Sequence, residues 1–186
     1  DDPTKASQIL SIRNAISKNE QYMSNADNTE AFLEASSDVY NEVTEILNRI
    51  HELAQSGLSD TVSRYEITSL VTEIEELIES VIDLGNSEFR GVYLFAGNKI
   101  DEAPFVAKYY SIGDKVQEVE YIGDSNQRFQ RISKDIEMTL NNPGNEVFSK
   151  VFERLIEIRD VIESGTNEEV DDFFQGLEES VNHIAN

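Results

Sequence analysis

A chain of 186 residues can hold one or two domains with a real core. Its 15 Lys and Arg stand against 37 Asp and Glu, and the net charge of −22 repels nucleic acid and anionic lipid, which argues against either as a partner. Without cysteine there is no disulfide, thiol chemistry or Cys-type zinc site; no apolar run approaches the roughly 18 residues of a transmembrane helix, and no signal peptide is visible.

The chain opens on Asp1-Asp2-Pro3 and closes on LEESVNHIAN, a helical pattern without a stop signal, so it reads as a fragment trimmed at both ends. Ile9, Ile12, Ile16 and Met23 form a weak helical seam. Phe32, Ser36, Val39, Val43, Ile46, Ile50 and Leu53 then follow alternating steps of four and three, an unbroken heptad seam. A flanking stripe of Leu33, Tyr40, Leu47 and Ala54 widens the apolar face, as in a helix packed on more than one neighbour. Asp27 with Glu30 predicts a capping box at the start of this helix and Gly57 its end, giving a rod on the order of 40 Å. After a loop at residues 57–60, Ile67, Leu70, Ile74, Leu77, Val81 and Leu84 predict a second helix. Ile46 and Ile50 are expected to be buried against Ile74 and Leu77.

The next stretch, NSEFRGVYLFAGNKIDEAPF (86–105), breaks the helical period with aromatics, glycines and a proline. Gly91 and Gly97 bracket VYLFA, five residues of strong strand preference. Here the chain is expected to leave the helices, with Tyr93 and Phe95 packed on them and Val92 and Leu94 on the opposite face. Val119 and Tyr121 alternate with Glu118 and Glu120, and Ile136, Met138 and Leu140 with Glu137 and Thr139, two half-buried strands. NNPGN (141–145) is a turn. Phe148, Val151, Phe152, Leu155, Ile158 and Ile162 restore the helical period. Beyond Gly165 it continues in Val170, Phe173, Leu177, Val181 and Ile184, with Thr166 and Glu169 as a capping box. The fold class is mainly α with a β-rich insertion: an elongated helical bundle made of residues 1–97 and 146–186, carrying a small β unit at 98–145.

No chemistry emerges. HELAQ (51–55) has Gln55 where a zinc protease needs its second histidine, and His51 and His183 are the only histidines. NKID (98–101) has the form of a guanine-reading motif, without any phosphate-binding Gly-x-x-x-x-Gly-Lys loop. DSNQRFQRISKD (124–135) begins like a calcium loop and then places Arg128 and Phe129 where an oxygen ligand and a glycine are required. The carboxylates show no spacing that separates a general acid from a general base. The expectation is no enzyme, no catalytic residue, no metal and no cofactor. Three functions fit the residues unequally: a subunit of an extracellular assembly, an acidic coiled-coil adaptor, and a carboxylate hydrolase lacking an evident pocket.

Asp1, Asp2 and Pro3, and the run Asn86, Phe89, Gly91, Tyr93, Leu94, Phe95, Gly97, Pro104 and Phe105, together resemble the signatures of the flagellin superfamily, which comprises flagellins and hook-associated junction proteins. YIGD (121–124) and NNPGNEVF (141–148) resemble the elements that follow in that family, and the order is colinear along the whole chain. Leu94-Phe95 and the later Pro-Phe resemble the junction proteins more than flagellin, which is the alternative. The resemblance implies a structural subunit of the bacterial flagellum, exported unfolded by the flagellar type III system and placed in a ring between hook and filament. Its implied partners are other axial proteins (the other junction protein and flagellin), copies of itself, and an export chaperone acting through a terminus beyond this fragment. The family's terminal helices would be missing at both ends, leaving an elongated monomer.

Overall fold

The computed structural model describes residues 3–57, 62–111 and 114–164. Helix α1 runs from Pro3 to Gly57 and α2 from Arg64 to Gly85. Six short strands follow: β1 (Glu88–Phe89), β2 (Val92–Tyr93), β3 (Phe105–Lys108), β4 (Glu118–Tyr121), β5 (Phe129–Arg131) and β6 (Glu137–Thr139). A single turn of helix, α3 (Gly144–Val147), leads into α4 (Ser149–Ser164). The strands pair as three separate antiparallel hairpins, β1–β2, β3–β4 and β5–β6. The chain is mainly α with a β-rich segment, and the seam at 170–184 with its Thr166–Glu169 cap lies outside the described residues, as do Asp1 and Asp2.

α1 is one continuous helix of 55 residues, about 80 Å long at 1.5 Å per residue. The expected cap at Asp27 and Glu30 is therefore wrong. Residues 20–30 contain Ser, Asn and Asp but neither Gly nor Pro, and those residues lower helix propensity by only tenths of a kcal/mol each, too little to interrupt the helix. The true cap is at α2. Ser63 accepts from the Glu66 amide at 3.3 Å, and the Glu66 carboxylate accepts from the Ser63 amide at 2.7 Å.

Three helices share the core. Tyr40 lies beside Phe148, and Ile162 lies beside Gly57, so α4 runs parallel to the second half of α1. Arg64 of α2 donates to the Glu163 carbonyl at 3.2 Å, which sets α2 antiparallel to both. The α1 seam is buried from Phe32 to Leu53 except at half-buried Ile46, and all six apolar residues expected of α4 are buried. In α2 the expected seam is turned to one side. Val71, Ile74, Ile78, Val81 and Ile82 are buried, whereas Ile67, Leu70, Leu77 and Leu84 are only flanking. The buried positions Val71, Ile74, Ile78, Val81 and Gly85 form a 3-4-3-4 line of their own, sharing Ile74 and Val81 with the expected one and rotated to one side of it, because the helix packs on both α1 and α4. Of the four residues expected to meet, Ile50 and Ile74 are fully buried, while Ile46 and Leu77 lie at the edge.

The front of α1 is different. Every side chain from Thr4 to Gln21 is exposed, including Ile9, Ile12 and Ile16, and Met23 beyond them is 68% exposed. No described element packs along the weak seam. The first contact is with the β5–β6 hairpin, where Asn25 donates to the Arg131 carbonyl at 2.7 Å and the Arg128 guanidinium sits 5.6 Å over the Phe32 ring. That hairpin is not half-buried as expected. Ile136 and Met138 are exposed and only Leu140 is buried, because one face of a lone two-stranded ribbon has nothing to cover it.

Candidate functional site

The residues singled out around 86–105 converge where the chain leaves α2 and where it returns at α3. Asn86 caps α2 with its backbone and then reaches across with its side chain. Its amide nitrogen donates to the Phe105 carbonyl at 2.9 Å, and its amide oxygen accepts from the Phe105 N–H at 2.9 Å. One side chain thus replaces a neighbouring strand for Phe105.

Between these two points lies the β1–β2 hairpin. Arg90 (φ 54°) and Gly91 (φ 78°) occupy its two-residue turn, the left-handed pair that matches strand twist. Arg90 also donates to Asn28 at 2.6 Å and lies over Phe89, which meets Phe32 edge-on at 5.9 Å. The hairpin is thereby fastened to α1. The strand is shorter than VYLFA: only Val92–Tyr93 pair, after which Leu94, Phe95 and Ala96 all turn inward and are buried. The alternation of faces expected over Val92 to Phe95 therefore fails after Tyr93, since a bend rather than a pleat orients those side chains.

Phe95 stands in an aromatic cluster with Tyr40 (5.5 Å between centroids) and Phe148 (4.9 Å), and Phe105 joins it through Phe148 and Phe152 at 5.4 and 5.2 Å. Pro104 is buried beside it, its carbonyl accepting from Ile122. Gly85 and Gly144 leave room for the Phe105 ring, which any Cβ there would strike. Gly97 (φ 66°) is the tightest point. A Cβ would be driven into the carboxylate and carbonyl of Asp124, whose side chain accepts from the amides of Asn98 and Asn126, both at 2.9 Å. These two backbone bonds, with Lys99 nearby, hold the Asp124 carboxyl below its ordinary range.

Sequence reasoning missed Tyr121 as a member. Its hydroxyl lies 3.0 Å from the Phe95 carbonyl and 2.7 Å from that of Asp124, and its one proton can go to either. The Phe95 carbonyl also accepts from Gly144 N–H at 3.0 Å, so a single carbonyl joins the outgoing chain, β4 and the return into α3. Burial chiefly raises the Tyr121 pKa from 10.0 to about 12, offset in part by the Gly144 amide. The pair Arg159–Glu75 was missed as well, because i,i+4 charge patterns cannot reveal partners 84 residues apart. Pro3 begins α1, and Asp1 and Asp2 lie outside the described residues. The polar groups gathered here are spent on backbone carbonyls and amides, an arrangement that fixes an angle between segments. Among the described residues no group of three or more His, Cys, Asp or Glu could hold a metal ion, and no helix is long and apolar enough to cross a membrane.

Comparison with known proteins places this arrangement. The model for the bacterial flagellin N-terminal helical region matches residues 1–100. Flagellar hook-associated protein 3 of Escherichia coli (strain K12) is 25% identical over 168 residues, covering 90% of this chain and 50% of that protein. The chain thus spans about half the length of the curated relatives it matches. Among solved structures, FlgL of Xanthomonas campestris superposes with a TM-score of 0.63 at 27% identity, over 72% of this chain and 42% of that one. A putative flagellar hook-associated protein from Vibrio parahaemolyticus shares the fold at TM-score 0.78 and 20% identity, over 98% of this chain and 80% of that one. With the long first helix, the second helix and the Asn86–Gly97 hairpin all inside the matched residues, the chain belongs to the family of the bacterial flagellin N-terminal helical region.

Proposed function

We propose that the protein is a structural subunit of the bacterial flagellum that joins hook to filament. The observation that carries this reading is the likeness, over 90% and 81% of the chain, to two proteins named flagellar hook-associated protein 3. The described residues support it in kind, since their hydrogen bonds and ring contacts hold helices and hairpins against one another. On this reading residues 1–97 and 146–186 form the axial rod and 98–145 an outward insertion. The signature residues from Asn86 to Phe105 set the angle between them.

The same reading makes the subunit a non-enzyme that is exported by the flagellar secretion system and stands outside the cell. It meets copies of itself in a ring, the second junction protein on one side and flagellin on the other, and is escorted by an export chaperone. Deleting the gene tests this directly. The expected result is intact hooks with flagellin released unassembled into the medium; loss of the filament subunit itself would make the protein a flagellin instead.

A further inference from the structure

The β3–β4 hairpin has one unused edge. Ile122 N–H donates to the Pro104 carbonyl at 2.8 Å, and Glu120 and Glu118 stand opposite Val106 and Lys108. By antiparallel alternation the amides of Glu118 and Glu120 face β3, and those of Val119 and Tyr121 face the other side of β4. No described strand pairs with that side. It borders an open groove of about 790 Å³ whose far wall is α4. Residues 117–121 all line the groove; because strand side chains alternate between faces, a consecutive run shows that the strand presents its edge.

The groove has a definite chemistry. Half-buried Val119, Ile156 and Val161 give it an apolar floor, while exposed Glu120, Glu153, Glu157 and Asp160 stand along its rim. Among the described residues no Lys, Arg or His lines it. Lys108 reaches Glu120 at 3.0 Å and Arg154 reaches Glu157 at 3.6 Å, both solvent-exposed pairs that exchange partners easily. Asp160 is instead held by buried Arg159 at 2.7 Å, so Glu118, Glu120, Glu153 and Glu157 are the rim charges open to a partner. The chain's own residues 165–186 follow directly after the groove's end at Ser164, but they carry six Asp or Glu and no Lys or Arg, the wrong sign for this rim.

We infer that the groove receives an extended segment of another protein chain in which apolar and basic residues alternate, added to β4 as a third strand. Backbone bonds to Val119 and Tyr121 supply the affinity, apolar side chains enter the floor, and Lys or Arg side chains meet the rim.

The test uses the full 186-residue chain, isotope-labelled for NMR, and the synthetic peptide acetyl-(Lys-Val)3-amide. Saturable binding is expected, with the Val119 and Tyr121 amides shifted and slowed in hydrogen exchange. The double substitution E120K/E157K should weaken binding at least about tenfold with the circular dichroism spectrum unchanged. The analogue (Lys-Pro)3, lacking half of the backbone donors, should bind at least about tenfold more weakly. Equal binding of (Glu-Val)3 or of (Lys-Pro)3, saturation without any change at Val119 and Tyr121, or insensitivity to E120K/E157K would each overturn the inference. So would contacts from Phe173 or Leu177 to Val119 in the peptide-free protein, which would assign the groove to the chain's own C-terminal segment.

Discussion

Arg159, 1% exposed, donates Nη1 to Glu75 at 2.6 Å and to the carbonyl of Val116 at 2.6 Å, while the other oxygen of Glu75 accepts from the Val116 amide. One ion pair between α4 and α2 thereby clasps both polar groups of the residue that leads into β4. Removing either partner leaves a charge or a peptide group unpaired in the interior. Arg159→Met should lower stability by about 3 kcal/mol, read from urea unfolding, because Glu75 is left without its cation. The double variant Arg159→Met with Glu75→Leu should recover part of that loss; recovery of none would mean the pair contributes only through Val116.

A second prediction separates the two halves of α1. Ile50→Ala should cost about 2–5 kcal/mol, since Ile50 is fully buried in the core. Ile12→Ala, at an exposed position of the same helix, should change stability by no more than about 0.5 kcal/mol. Comparable losses at both sites in a monomer would mean that the front of the helix is covered.

The two left-handed glycines should differ as well. Gly91 has open space around it, so Gly91→Ala pays only for backbone strain, about 1 kcal/mol. Gly97→Ala adds a collision with Asp124 and should cost about 3 kcal/mol or more, with near-normal helix content by circular dichroism. Equal effects at the two positions would show that Asp124 moves aside.

Alkaline pH probes Tyr121. Its folded pKa of about 12 exceeds the ordinary 10.0, so the native state favours the protonated hydroxyl. That contribution is complete below pH 10 and is lost as pH rises from 10 towards 12. Urea midpoints should fall across this window. Tyr121→Phe should begin lower and fall less steeply, the remaining slope coming from Tyr40, Tyr93, Tyr109 and Lys108, whose pKa values are also raised in the folded chain. An unchanged slope in the variant would place the loss elsewhere.

How much of this was legible beforehand depended on whether the signal was local. The heptads of α1 and α4 announced their buried faces because 3.6-residue periodicity is a property of neighbours along the chain. Asn86, Gly97 and Phe105 could be named from their run. What each does could not, since Asn86 acts on residue 105 and Gly97 on residue 124. Arg159 did carry a local sign of burial, since it stands on the apolar line of Phe148, Phe152, Leu155 and Ile162 where Arg154 does not; its partner Glu75 carried none. The failure at Asp27 had a simpler cause: a capping pattern only starts a helix where the preceding chain is not already helical.

The unsupported front of α1 has a thermodynamic consequence. Starting a helix is the expensive step, and the packed half from Thr29 onward has already taken it. Each residue toward Pro3 therefore only extends an existing helix, at an equilibrium constant near one per residue. Such a segment does not melt at a temperature of its own. In a chain of these 186 residues it frays from the first turn as a zipper, with amide protection grading down from Thr29 towards Pro3, and any surface or preceding segment that covers Ile9, Ile12 and Ile16 would move the fraying point rather than create the helix.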